Sequence, residues 1–291
     1  MKKAYFYGGT AIFLWSTIAA STKLMLGSLD SMQILSITML FAAAFLLLVN
    51  LFNGKVKQMK QYRPRDYLYM FGLGVMGLFL YNLFLYVGID SMRASQAFII
   101  NYLWPIMTVI FACLILKEPM TGRKAIAIAM SFLGVVIVTS DGGLGGISRE
   151  HLIGALCCVL AAVSYGLFSV LNKRKGYDNC ICMMICHFAA FVISTLFNVF
   201  SGNILIPQLS QLPGLLWIGV GTSAIAYTAW ALALSLGDTA KLSNLAYITP
   251  FLSLIWTALL LKEPISLYSV LGLVVIVAGI LLQMKEKQTG Q

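Results

Sequence analysis

The sequence predicts an all-α polytopic membrane protein, with ten transmembrane helices arranged as two inverted five-helix repeats and both termini cytoplasmic. Three observations carry this expectation. First, 60% of the 291 residues are hydrophobic and only 10% are charged, giving a mean hydropathy of +0.89. A soluble domain is about a quarter charged, and so few charges would leave large apolar patches facing water. The same figures exclude a disordered chain. Second, ten apolar runs, most of them near the roughly 20 residues needed to cross hydrocarbon, are separated by charged or Gly/Pro-rich breaks. Third, the chain repeats itself after five of these runs.

Run one, 4–25, follows Lys2-Lys3 and carries Trp15, Ser16 and Lys23. A basic start, an apolar stretch and Ala19-Ala20-Ser21 also fit a secretory signal peptide, but the length and the repeat favour a retained span. Run two, 31–52, leads into the longest charged connection, Lys55 to Arg65, which leaves no room for a soluble domain. Run three, 67–88, holds Tyr81, Asn82 and Tyr86; run four, 95–116, holds Asn101, Trp104, Pro105 and Thr108; run five is 124–140. Gly142-Gly143-Leu144-Gly145-Gly146 lacks the Gly-Lys-Ser/Thr ending of a phosphate-cradling loop, so it reads as a linker joining the repeats 1–142 and 147–291. Run six, 151–172, carries Tyr165, Ser169 and Asn172; run seven, 180–200, opens with the cluster Cys180, Cys182, Cys186 and His187. Those are metal-ligand types, but a matching second pair is missing, so buried free thiols are expected rather than a metal or other cofactor. Run eight, 213–236, holds Ser223, Tyr227 and Trp230; run nine, 241–261, holds Asn244, Ala246, Tyr247, Thr249, Pro250 and Ser253; run ten is 267–284.

Orientation follows from the basic residues, which are retained on the cytoplasmic side. With the N-terminus inside, 16 of the 20 Lys and Arg are cytoplasmic, and Lys23, Arg93, Arg149 and Lys262 are outside. The net charge of +10 is therefore mostly topology, and nucleic acid is not an expected partner.

The repeat shows in punctuation. Pro105 and Pro250 are each followed 12 residues later by Lys-Glu-Pro, Lys117-Glu118-Pro119 and Lys262-Glu263-Pro264, at a constant offset of 145. Gly134 and Gly279 keep that offset, Tyr81 and Tyr227 stand 146 apart, and Trp15 and Lys23 match Tyr165 and Lys173 at 150. An odd number of spans per copy makes the second copy run through the membrane in the opposite sense. Such inverted repeats build alternating-access transporters, with the solute near the midplane; duplication in a channel or membrane enzyme is the alternative.

Pro105 and Pro250 each free a backbone carbonyl in mid-span, so both are expected to kink their helices where neighbours or a cavity satisfy the freed group. Asn101, Trp104, Pro105 and Thr108 share a face by their spacing, as do Ala246, Thr249, Pro250 and Ser253. The mid-span set Trp15, Ser16, Tyr81, Asn82, Asn101, Trp104, Tyr165, Tyr227, Trp230 and Tyr247 is the expected substrate-binding set, with interhelical packing and hydrogen bonding as the competing role. All ten carboxylates fall at or beyond span ends, leaving no midplane group for ion coupling, and His187 reads as a buried, hydrogen-bonded structural imidazole. No Walker motif and no nucleophile–base–orienter set is present, so an enzyme is not expected.

With Pro in spans four and nine and Glu-Pro after each, the chain resembles the EamA-type family of the drug/metabolite transporter superfamily. Leu14-Trp15-Ser16-Thr17, Asn101-Tyr102-Leu103-Trp104-Pro105, Asn172-Lys173 and Ala226-Tyr227-Thr228-Ala229-Trp230 are similar to bacterial aromatic amino acid exporters of that superfamily. The resemblance implies a basket of ten helices around a cavity lined by spans one, three, four, six, eight and nine. It also implies export of amino acids or related metabolites. The expected protein is a monomeric, uncoupled inner-membrane carrier in a bacterial bilayer, with aromatic amino acids as the leading substrates. A multidrug exporter of aromatic cations is the rival, though it usually needs a buried carboxylate.

Overall fold

The computed structural model describes residues 2–140, 148–204, 206–236 and 245–284, and every regular element among them is helical. Eight stretches are long and apolar enough to cross a bilayer: Lys2–Leu26, Ser31–Phe52, Pro64–Ser91, Ala94–Ile115, Gly122–Ser140, Arg149–Asn172, Asn179–Phe200 and Leu212–Trp230. Two shorter apolar helices follow, Thr249–Leu261 and Leu267–Leu282. In chain order the eight are numbered spans one to eight, and the two shorter helices carry the labels nine and ten; all fall on the ten apolar runs. The expected start of run nine with Asn244, the Gly142–Gly146 linker and the C-terminal lysines lie outside the described residues.

The exterior is apolar, with Phe52, Leu68, Leu114 and Phe200 largely exposed, as hydrocarbon permits and water would not. Small residues let the backbones touch where packing cannot rely on a hydrophobic difference from lipid. Gly134 on span five and Gly272 on span ten are reciprocal: a Cβ on either would stand 2.7 Å from the other's carbonyl oxygen.

Spans two and seven are both 22-residue helices, and three landmarks of one, an Asp, an Asn and a Gly, recur 148 residues later in the other. Asp30 and Asp178 cap their N-termini through backbone N–H groups, and Gly54 and Gly202 follow their ends, both at φ +67. The two helices run antiparallel, tied at one end by Asn50 Nδ2 donating to the Cys180 carbonyl (3.3 Å) and at the other by Asn198 Nδ2 donating to Met32 (3.1 Å). The caps are paired the same way, Lys55 Nζ with Asp178 at 2.8 Å and Asn203 with Asp30. Burial, the largest single influence, opposes the charge on Lys55, but the hydrogen bond to Asp178 and the electrostatic influence of Cys180, Asp178 and Tyr62 together outweigh it and hold the ammonium above its ordinary range. Replacing Asn50 or Asn198 by Leu is expected to cost each time about 0.5–2 kcal/mol, read as a lower melting temperature in detergent.

Four spans depart from regular α-helix near mid-depth. Span one breaks at Thr17, between helices Lys2–Ser16 and Ile18–Leu26. The Ser16 and Thr17 hydroxyls bond back to Phe13 and Leu14 carbonyls at 2.7 Å, a contact that bends helices. Span three contains a π-helical turn over Val75–Leu80, and span eight one over Trp217–Ile225. Span four breaks at Tyr102–Leu103, between Ala94–Asn101 and Trp104–Ile115, and helix Thr249–Leu261 likewise begins one residue before Pro250. Each proline thus sits in the first turn after a break, where its missing N–H costs nothing.

Candidate substrate cavity

Residues beside the breaks in spans one and four, and residues just after the π-turns of spans three and eight, line a central cavity of about 90 Å³, well above the roughly 10–15 Å³ that one water requires. Span one contributes Trp15 and Ile18, span three Tyr81, and span four Phe98, Asn101, Tyr102 and Trp104. Span six adds Tyr165, span eight Tyr227 and Trp230, and the chain entering span nine Ala246 and Thr249.

The rings form a connected wall. Trp15 lies 5.3 Å from Tyr227 and 5.5 Å from Trp230; Tyr165 lies 5.0 Å from Tyr81, 5.3 Å from Trp104 and 6.4 Å from Tyr227. Edge-on and tilted pairs of this kind hold one another in place. Tyr102 donates from its hydroxyl to the Ala246 carbonyl, joining span four to the segment entering span nine.

Three polar atoms in this wall are buried and unpaired with protein. Asn101 donates to the Tyr81 hydroxyl at 3.1 Å while its Oδ1 has no partner, and neither the Trp15 indole N–H nor the Thr249 hydroxyl has one. Polar groups left over in a buried aromatic wall are costly unless a guest satisfies them. No charged side chain is among the described residues that line the cavity.

Of the sequence-derived set, Trp15, Tyr81, Asn101, Trp104, Tyr165, Tyr227 and Trp230 converge on this cavity. Three stand elsewhere. Ser16 points behind the wall, accepting the Trp256 indole N–H at 3.0 Å. Asn82 lines a smaller neighbouring space of about 20 Å³ with Tyr86, Ser223 and His187. Tyr247 packs against Tyr102, ring to ring at 6.4 Å. Ile18, Phe98, Tyr102, Ala246 and Thr249 line the cavity beyond that set.

The cysteine–histidine cluster is occupied by local bonds. Cys182 donates to the Asn172 side-chain oxygen and Cys186 to the Met70 carbonyl, both at 3.3 Å, and His187 Nδ1 sits 2.7 Å from the Met183 carbonyl. Among the described residues no group of three His, Cys, Asp or Glu is placed to hold a metal.

The description of the EamA-like transporter family matches residues 2–140 and 152–284. The chain belongs to that family. It is 29% identical to an uncharacterised transporter of Clostridium kluyveri, covering 96% of this chain and 92% of the other. It is 26% identical to the aromatic amino acid exporter YddG of Ancylobacter novellus, covering 87% of this chain and 86% of the relative. A crystal structure with 23% identity superposes with a TM-score of 0.71 over 99% of this chain and 98% of the other, a likeness of fold. The EamA-like chain is thus a multi-pass membrane transporter.

Proposed function

We propose that this transporter exports amino acids, aromatic ones foremost, or related small metabolites across a bacterial inner membrane, as a monomer working by alternating access. The observation that carries the reading is the cavity wall: eight aromatic residues from spans one, three, four, six and eight, an unpartnered indole N–H, amide oxygen and hydroxyl, and no lining charge among the described residues. Such a wall suits a flat ring beside a group that is neutral overall, as a zwitterion is. The relative named as an aromatic amino acid exporter points the same way. Reciprocal bonds between spans two and seven, and the recurrence of landmarks between residues 1–142 and 147–291, support two inverted copies rocking about that site.

Among the described residues the cavity lining holds no carboxylate to couple an ion or to neutralise a solute with net positive charge. This favours uncoupled diffusion of a neutral solute over multidrug cation export. Trp104→Ala and Trp230→Ala are expected to lower saturable transport by about tenfold or more, as loss of an aromatic anchor does, while the purified protein elutes as before. Equal loss of folded protein would make both residues structural.

A further inference from the structure

The turn between spans three and four is gripped from both sides. Lys23 on span one donates to the carbonyls that end span three, Ile89 at 2.6 Å, Asp90 at 2.9 Å and Met92 at 3.5 Å. Glu263, just past span nine, accepts from the amides that begin span four, Ala94 N–H at 2.8 Å and Ser95 N–H at 3.1 Å, and from the Ser95 hydroxyl at 2.8 Å. A cation thus meets a helix C-terminus and an anion the next helix N-terminus, each with the favourable sign. Ala19, Leu85, Ile89, Ala97 and Leu254 belong to one buried apolar cluster that also holds the cavity-lining Phe98 and Tyr102, and Thr22, next to Lys23, is fully buried.

The same motif lies at the other end of the chain's repeat. Lys117 and Lys262 are the non-glycine residues with positive φ among those described, at 57° and 56°. After each, the following N–H bonds back to the equivalent carbonyl at 3.4 Å, Glu118 to Ala112 and Glu263 to Thr257. Backbones agree, yet the carboxylates differ: Glu118 pairs with Lys124 at 3.4 Å and is 42% exposed, while Glu263 binds the neighbouring hairpin. One copy of a repeated device reaches a hairpin distant in sequence, and the other bonds only the start of the next helix along the chain.

We propose that Lys23 and Glu263 form a two-part latch on the span three–four turn, which keeps that end of the cavity shut and releases when the cavity opens there. The inference rests on the alternating-access reading and not on the identity of the substrate. Spans one and nine hold the hairpin of spans three and four, so opening this end requires both sets of charge-assisted bonds to break.

The test places Thr22→Cys as reporter in a background lacking the native cysteines and measures its labelling by a membrane-impermeant maleimide in right-side-out and inverted vesicles. Lys23→Met with Glu263→Gln is expected to raise the labelling rate from one side by about tenfold or more, since several charge-assisted hydrogen bonds oppose opening. Glu263→Gln alone, which keeps the side-chain shape, is expected to raise it by about threefold, and Glu118→Gln to leave it unchanged. Unchanged rates from both sides in Glu263→Gln protein that elutes as a single species would overturn the latch, whether or not the double variant folds. Labelling reads conformation without substrate, so this outcome is separate from that of the transport assay.

Discussion

Asn101→Leu is expected to weaken binding of phenylalanine and tryptophan by about tenfold to a hundredfold while shifting stability by no more than about 1 kcal/mol. Leu fills nearly the same space, so no sizeable cavity opens. What changes is polarity. Asn101 spends its amide N–H on Tyr81 and leaves Oδ1 buried and free at the cavity wall. Without a guest that oxygen is a liability; with a guest ammonium on it, it becomes a bond made only in the complex. Removing it therefore relieves the empty protein and deprives the loaded one, and the two effects have opposite sign. Radioligand binding and thermal unfolding on one purified sample read both. Unchanged affinity would place the solute elsewhere, and a fall in melting temperature that matched the affinity loss would make Asn101 a packing residue.

Gly74→Leu is expected to abolish accumulation of folded protein. A Cβ at Gly74 would stand 2.5 Å from the Cys186 carbonyl oxygen and 2.6 Å from its Cα. Both atoms are backbone of span seven, so no side chain can swing away, and spans three and seven must separate. Overpacking of this kind costs about 1–3 kcal/mol in a forgiving core and more against rigid backbone. Gly72, two residues earlier on the same span, has nothing within 4 Å of its would-be Cβ. Gly72→Ala is expected to behave as the parent, and fluorescence-detected size exclusion separates the two. Normal yield of Gly74→Leu would mean that the spans three and seven do not pack as described.

The architecture was legible where rare residues punctuate apolar filler. Prolines and Lys-Glu-Pro recur at 145 because helix breaks and αL turns admit few alternatives, and Lys117 and Lys262 share the left-handed conformation. The recurrence at 148 between spans two and seven is harder to see, although Asp30 and Asp178, Asn50 and Asn198, and Gly54 and Gly202 carry it. Its signal is spread over single residues with Leu, Ile, Val and Ala between them. Seven of the ten candidate site residues meet at one cavity because depth in a span is readable from its ends. Direction around the helix is less readable where the helix is not regular. Face counting on an unbroken span four omits Tyr102, but the break at Tyr102–Leu103 resets the rotation and brings it to the wall beside Trp104. Trp15 and Ser16 both precede the break at Thr17 and point about 100° apart on one helix, so one lines the wall and the other stands behind it, and no proline or glycine marks the break.

A cavity lined by aromatic side chains, with no charged lining residue among those described, is expected to carry aromatic amino acids without an ion gradient. Uptake of labelled phenylalanine, tryptophan and threonine into proteoliposomes, with and without an imposed pH gradient, tests it most directly. Saturable uptake of phenylalanine and tryptophan, faster than that of threonine and indifferent to the gradient, is the expected result. No uptake of the aromatic pair, or uptake only when protons are driven across the membrane, would contradict it.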